Sequence, residues 1–126
     1  MDLIVDLELS RVVLENQYSN YPWVILIPRK NNVTELIDLT FEDQQILLKE
    51  INMVAKIIKD SFNCDKLNIA TLGNVTPQLH IHIIGRFKND PTWPNPVWGS
   101  KDDAYLEKDK KEFINLIQAK IIAAIR

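Results

Sequence analysis

The chain contains two histidines, and both lie in one short segment, Pro77-Gln78-Leu79-His80-Ile81-His82-Ile83-Ile84-Gly85-Arg86. Along an extended strand side chains alternate, so Gln78, His80 and His82 share one face while Leu79, Ile81 and Ile83 share the other. The apolar face belongs in a core. The polar face presents one amide and two imidazoles, spaced about 6–7 Å apart. A neutral imidazole offers a lone pair at neutral pH, and it can attack an electrophilic phosphorus through one nitrogen when an acceptor holds the proton on the other. A second imidazole one pleat away can donate to a phosphoryl oxygen or to the leaving group. The spacing alone also fits half-buried structural histidines, and a metal site needs ligands that are not evident nearby.

Several elements must position this segment. Leu79 to Ile84 reads as a strand ending at Gly85, and Leu67 to Leu72 as another ending at Gly73. Trp23-Val24-Ile25-Leu26-Ile27, bounded by Pro22 and Pro28, is bulky and β-branched and reads as a buried strand. Arg11 to Leu14 is a shorter one. Thr40 begins a helix, its hydroxyl placed to accept from the amide of Asp43. Leu47, Ile51, Val54 and Ile58 recur at helical spacing, so one face of that helix packs on a core. The stretch from Asn89 to Gly99 holds three prolines and is predicted to be irregular. A second amphipathic helix, about residues 102–125, carries Ile114, Ile117, Ile121 and Ile125. Strands and helices do not alternate strictly, which predicts an α+β domain: an antiparallel sheet of about five strands with two main helices. At 126 residues the expectation is one domain.

Composition narrows the function classes. With 46% hydrophobic and 25% charged residues the chain is of the globular type. A formal charge of −2 gives no footprint for extended nucleic acid. Cys64 is the single cysteine, so neither an internal disulfide nor a Cys-rich zinc site is available. The first residues lack a basic leader, and no apolar run approaches the ~20 residues needed to span a bilayer. A soluble, cytoplasmic protein is expected.

The histidine segment resembles the signature of the HIT (histidine triad) family, His-φ-His-φ-His-φ-φ, with Gln78 in the first position. The likeness extends upstream through Leu67 to Asn74 and to Leu26-Ile27-Pro28-Arg29, which is similar to the family's apolar strand followed by Ile-Pro-Lys. Together with Asp90-Pro91-Thr92-Trp93-Pro94 it resembles a bacterial branch that carries Gln first, close to diadenosine-polyphosphate-hydrolase-like members. The resemblance implies a nucleotide hydrolase cleaving at the α-phosphorus of dinucleoside polyphosphates or adenylates. His80 would form a covalent nucleotidyl intermediate, and His82 would donate to the phosphate or the bridging oxygen. The Gln78 carbonyl would hold the Nδ1 proton of His80. No cofactor and no metal are implied. A nucleotidyltransferase working through the same intermediate, or a binding module with little turnover, are the alternatives.

Two departures stand out. In many relatives a further histidine supports the first triad position, and it aligns with Trp23 here, so both members of that pair are replaced together. Val75 falls where relatives place a phosphate-binding Ser or Thr, leaving Thr76 or Asn74 as substitutes. Asn68, Asn74, Asn16 and Trp93 are the candidate nucleotide contacts, with Glu15 beside Asn16. Asn74 reads equally as a plain turn residue. Arg86 and Lys88 read equally as phosphate contacts or as solvated charges. The family forms homodimers, and two features here call for a partner: the broad apolar face of the C-terminal helix, and a Trp93–Trp98 loop with no obvious shelter within the chain.

Overall fold

The computed structural model describes residues 1–126. Five strands are present: β1 (Asp2–Asp6), β2 (Ser10–Leu14), β3 (Trp23–Pro28), β4 (Lys66–Ala70) and β5 (Ile81–Arg86). Two helices, α1 (Phe41–Phe62) and α2 (Glu107–Ala124), complete the fold. The sheet runs β1-β2-β3-β5-β4 with every neighbouring pair antiparallel. The expected α+β architecture is the observed one.

Each face of the sheet has its own cover. Ile4, Val12, Leu14, Val24, Leu26, Ile81 and Ile83 face the helices and form the main core with Leu47, Val54 and Ile58 of α1 and Phe113, Ile117 and Ile121 of α2. The opposite face carries a smaller cluster, Val13, Tyr21, Trp23, Ile25, Ile84 and Val97, roofed by the segment after β5. β3 and β5 are therefore covered on both sides, which is why they read as nearly continuous apolar runs.

Local chemistry sets the element ends. Thr40 Oγ1 accepts from the Asp43 amide at 3.1 Å, capping α1 as its sequence predicts. Asn63 closes the same helix in the left-handed conformation, φ 52°. The β1–β2 turn is held from outside. The buried Glu50 carboxylate of α1 accepts the amides of Leu9 at 2.9 Å and Ser10 at 3.0 Å. Arg29, the basic residue after the Ile-Pro element, donates to the carbonyls of Leu7, Glu8 and Leu9 on that turn.

The structure corrects several boundaries. β5 does not stop at Gly85 but runs through it to Arg86. Gly85 is required there by close approach, because a Cβ would lie 2.5 Å from Cys64 Sγ and 2.6 Å from Pro22 Cγ. β4 ends at Ala70, short of Leu72. β1 has no counterpart in the sequence reading. α2 begins at Glu107, not near 102, because residues 102–105 lie along the 16–21 loop: Asp102 accepts from the Asn20 amide, and the Tyr105 hydroxyl donates to the Tyr21 carbonyl. Of the apolar positions on and just after α2, Phe113, Ile117 and Ile121 serve the chain's own core, while Leu116, Ile122 and Ile125 are exposed. The Trp93–Trp98 loop is sheltered too, with Val97 fully buried and Trp98 packed against Trp23. The loop therefore needs no partner to shelter it. No helix is long and apolar enough to cross a membrane.

Candidate active site

β5 places His82 on the face opposite the helices, directly paired with Ile25 of β3 and Ala70 of β4. His80 lies just before the strand, and the chain there is pinned to its surroundings. The Leu79 amide donates to the Val33 carbonyl at 2.9 Å. The Gln78 amide nitrogen donates to the carbonyls of Pro28 and Lys30, both at 3.2 Å. Gln78 thus spends both its N–H groups on the end of β3 and keeps only an acceptor oxygen free.

His80 Nδ1 lies 2.7 Å from the Gln78 carbonyl. A carbonyl accepts only, so Nδ1 carries a proton, and in the neutral ring the lone pair is on Nε2. The His82 ring stands 5.0 Å away, centroid to centroid, at 72° to the first. Its surroundings differ: it is 7% exposed, flanked edge-on by Trp23 and Trp98. The Trp23 indole donates to His82 Nδ1 at 3.0 Å. Burial, reinforced by the neighbouring His80, pushes the His82 pKa down to about 4, so the ring is neutral through physiological pH.

The two imidazoles open on a cavity of about 230 Å³ that Ile25 and Ile27 floor and Met1, Glu15, Thr76 and Gln78 edge. A larger hollow of about 400 Å³ between α2 and Phe62, Phe87 and Tyr105 carries no imidazole. Chemistry, not size, selects the smaller one. No three His, Cys, Asp or Glu side chains converge closely enough to hold a metal ion.

The predicted contacts divide. Gln78, His80 and His82 come together. Thr76 lines the cavity, whereas Asn74 does not and Val75 is 95% exposed, so of the two substitutes only Thr76 is in place. Glu15 lines it, whereas Asn16 donates to Asp2 and is turned to the β1 edge. Asn68 and Trp93 lie in a separate hollow of about 410 Å³ on the β4 side, with Lys66, Arg86 and Trp98. Asn68 accepts from Arg86 at 2.7 Å there. Arg86 is neither solvated nor free for phosphate. Its guanidinium is 2% exposed and bound bidentately to Asp90 at 2.8 and 3.1 Å, with Asn95 and Thr92 as further acceptors. The sequence reading missed the use made of Trp23, which reaches His82 and not Gln78, and the packing of Trp98 on the same ring. The shared face of β3 and β5 was the available signal for the first.

The HIT domain profile matches residues 2–89. A histidine triad protein from Bradyrhizobium japonicum is 44% identical, with a TM-score of 0.90 over 94% of this chain and 89% of that one. One from Marinobacter aquaeolei is 37% identical, with a TM-score of 0.91 over 96% and 88%. Among curated proteins, a bis(5′-adenosyl)-triphosphatase of Saccharomyces cerevisiae is 33% identical over 70 residues, covering 52% of this chain. The chain matches 34% of that relative's length. The paired imidazoles, the five-stranded sheet that carries them and these matches together mean that the chain belongs to the HIT domain family.

Proposed function

We propose that this chain hydrolyses nucleoside 5′-phosphoanhydrides at the α-phosphorus through a covalent intermediate on His80. The observation that carries the reading is the contact of His80 Nδ1 with the Gln78 carbonyl, which leaves Nε2 as a positioned lone pair beside a second imidazole. Nε2 forms a bond to the α-phosphorus as the bond to the leaving phosphate breaks. Water then attacks the same phosphorus, the P–N bond breaks with its electron pair returning to Nε2, and the water's proton passes to solvent. His82 donates to the phosphoryl oxygens in both steps. Thr76 offers a hydroxyl to the phosphate, and Glu15 an acceptor to the ribose. The bis(5′-adenosyl)-triphosphatase similarity supports a dinucleoside polyphosphate as substrate.

The test is turnover of a dinucleoside triphosphate by wild type and His80→Ala. The variant is expected to lose all measurable activity while keeping its fold. Activity within tenfold of wild type contradicts the mechanism. Release of nucleoside monophosphate in water, without added phosphate or sugar phosphate, separates hydrolysis from nucleotidyl transfer.

The same reading includes a homodimer, now supported by a different surface. β4 is an edge strand with no strand on its outer side, and Ile69 on it is 47% exposed. Sedimentation giving only the 14.6 kDa monomer at micromolar concentration contradicts it.

A further inference from the structure

The indole N–H of Trp23 is a donor and nothing else. The atom it meets 3.0 Å away, His82 Nδ1, must therefore be a bare nitrogen, and the one ring proton sits on Nε2. Turning the ring over would set a carbon against an indole buried at 2% exposure and leave that N–H without an acceptor. Protonating Nδ1 would place two N–H groups head to head. His82 Nε2–H has no acceptor within the protein, and His82 lines the same cavity as His80. The two imidazoles are thus held in opposite tautomers by two different neighbours: a carbonyl gives His80 a free Nε2 lone pair, and an indole gives His82 an Nε2–H.

We propose that Trp23 is a positioning residue that locks His82 as a neutral hydrogen-bond donor, and that this confines the site to leaving groups that depart as anions. The inference rests on the proposed hydrolysis and names its substrate class. A neutral donor stabilises charge developing on a phosphate or carboxylate leaving group. It does not hand over a full proton, which an amine leaving from a phosphoramidate requires. Phosphoanhydrides and acyl-adenylates fit; phosphoramidates do not. The preference arises in the Trp23–His82 pair and not in Gln78, whose N–H groups are bound to backbone carbonyls. The titratable groups facing His82 are few: His80 just before its strand, and Glu15 on the wall of the cavity that Met1 also lines, while Trp23 and Trp98 bring no charge.

The chain's two histidines make the test direct, because ¹⁵N-histidine labelling gives two ring systems to assign. In wild type, His82 is expected with Nδ1 bare and Nε2 protonated, unchanged from pH 8 to pH 5. In Trp23→Phe its titration is expected to move up by about one unit or more, a tenfold change in proton affinity. Cleavage of an anhydride by this variant should fall roughly fivefold to tenfold. The ratio of phosphoramidate to anhydride cleavage at pH 5–6 should rise by about tenfold as His82 becomes an acid. A wild-type spectrum with Nδ1 protonated, a wild-type His82 charged at pH 6, or an unchanged ratio in folded Trp23→Phe overturns the proposal. If Trp23→Phe does not fold, the wild-type spectrum decides alone. That spectrum requires no turnover, so its outcome is separate from the His80→Ala test of the hydrolase reading.

Discussion

Removing the Asp90 carboxylate is expected to cost the fold several kcal/mol and to loosen the roof over the histidines. Burial alone would push this carboxyl up, but the Arg86 guanidinium and the Phe87 and Trp93 amides outweigh it and hold its pKa below the ordinary value. Both partners of the pair are 2% exposed, so in Asp90→Ala the Arg86 charge remains in the interior without its counter-ion. An orphaned buried charge costs about 3–5 kcal/mol. The amides of Phe87, Thr92 and Trp93 lose their acceptor as well, a loss that overlaps the first and does not simply add. Against a total stability of about 5–15 kcal/mol, this lowers the melting temperature by roughly 10–20 °C. The assay is thermal and denaturant unfolding of wild type, Asp90→Ala, Arg86→Met and the double variant. The cycle should return a coupling of about 2 kcal/mol or more, since the double variant leaves no unpaired charge. A cost below about 1 kcal/mol for Asp90→Ala, or strict additivity, refutes the assignment of this pair as the pin of the post-β5 loop.

Gly85→Ala is expected to destabilise by about 1–3 kcal/mol, because the new Cβ collides with Cys64 and Pro22; urea midpoints measure it, and an unchanged midpoint refutes the packing. Glu50→Ala strips two buried amides of their acceptor and should cost about 2 kcal/mol in the same assay. Stability should also fall with acid through His82. Its folded pKa of about 4 lies below the unfolded value of about 6.5, so the unfolded chain binds the extra proton first. The contribution is complete above pH 6.5 and lost as the pH falls to 4, up to about 3 kcal/mol, and His82→Gln should flatten the slope in that window.

Much of the site was legible because one short segment carries it, although the strand expected from Leu79 starts only at Ile81. Alternation alone places Gln78, His80 and His82 together, and the apolar run of Trp23 to Ile27 marks the central neighbour. What escaped depends on partners distant in sequence. Arg86 reads equally as a phosphate contact or a solvated strand-end charge until Asp90, Asn68 and Asn95 are folded around it. Residues 102–105 carry helix-compatible charges, yet their bonds to the 16–21 loop, over 80 positions away, keep them extended. β1 is too short and too acidic at both ends for periodicity to register, and Glu50 holds its turn from another element. Asn68 and Trp93 fall outside the histidine cavity because β4 and the loop after β5 lie on the far side of His82 from Glu15 and Ile27.

The central claim is that His80 carries the nucleotidyl group between two half-reactions. Single-turnover mixing of the chain with an α-³²P-labelled dinucleoside polyphosphate, quenched in alkali to preserve a P–N bond, measures it directly. The account predicts label on the peptide containing His80, formed at least as fast as turnover, chased by water into nucleoside monophosphate, and absent from His80→Ala. Turnover with no protein-bound label, or label on any residue other than His80, would contradict it.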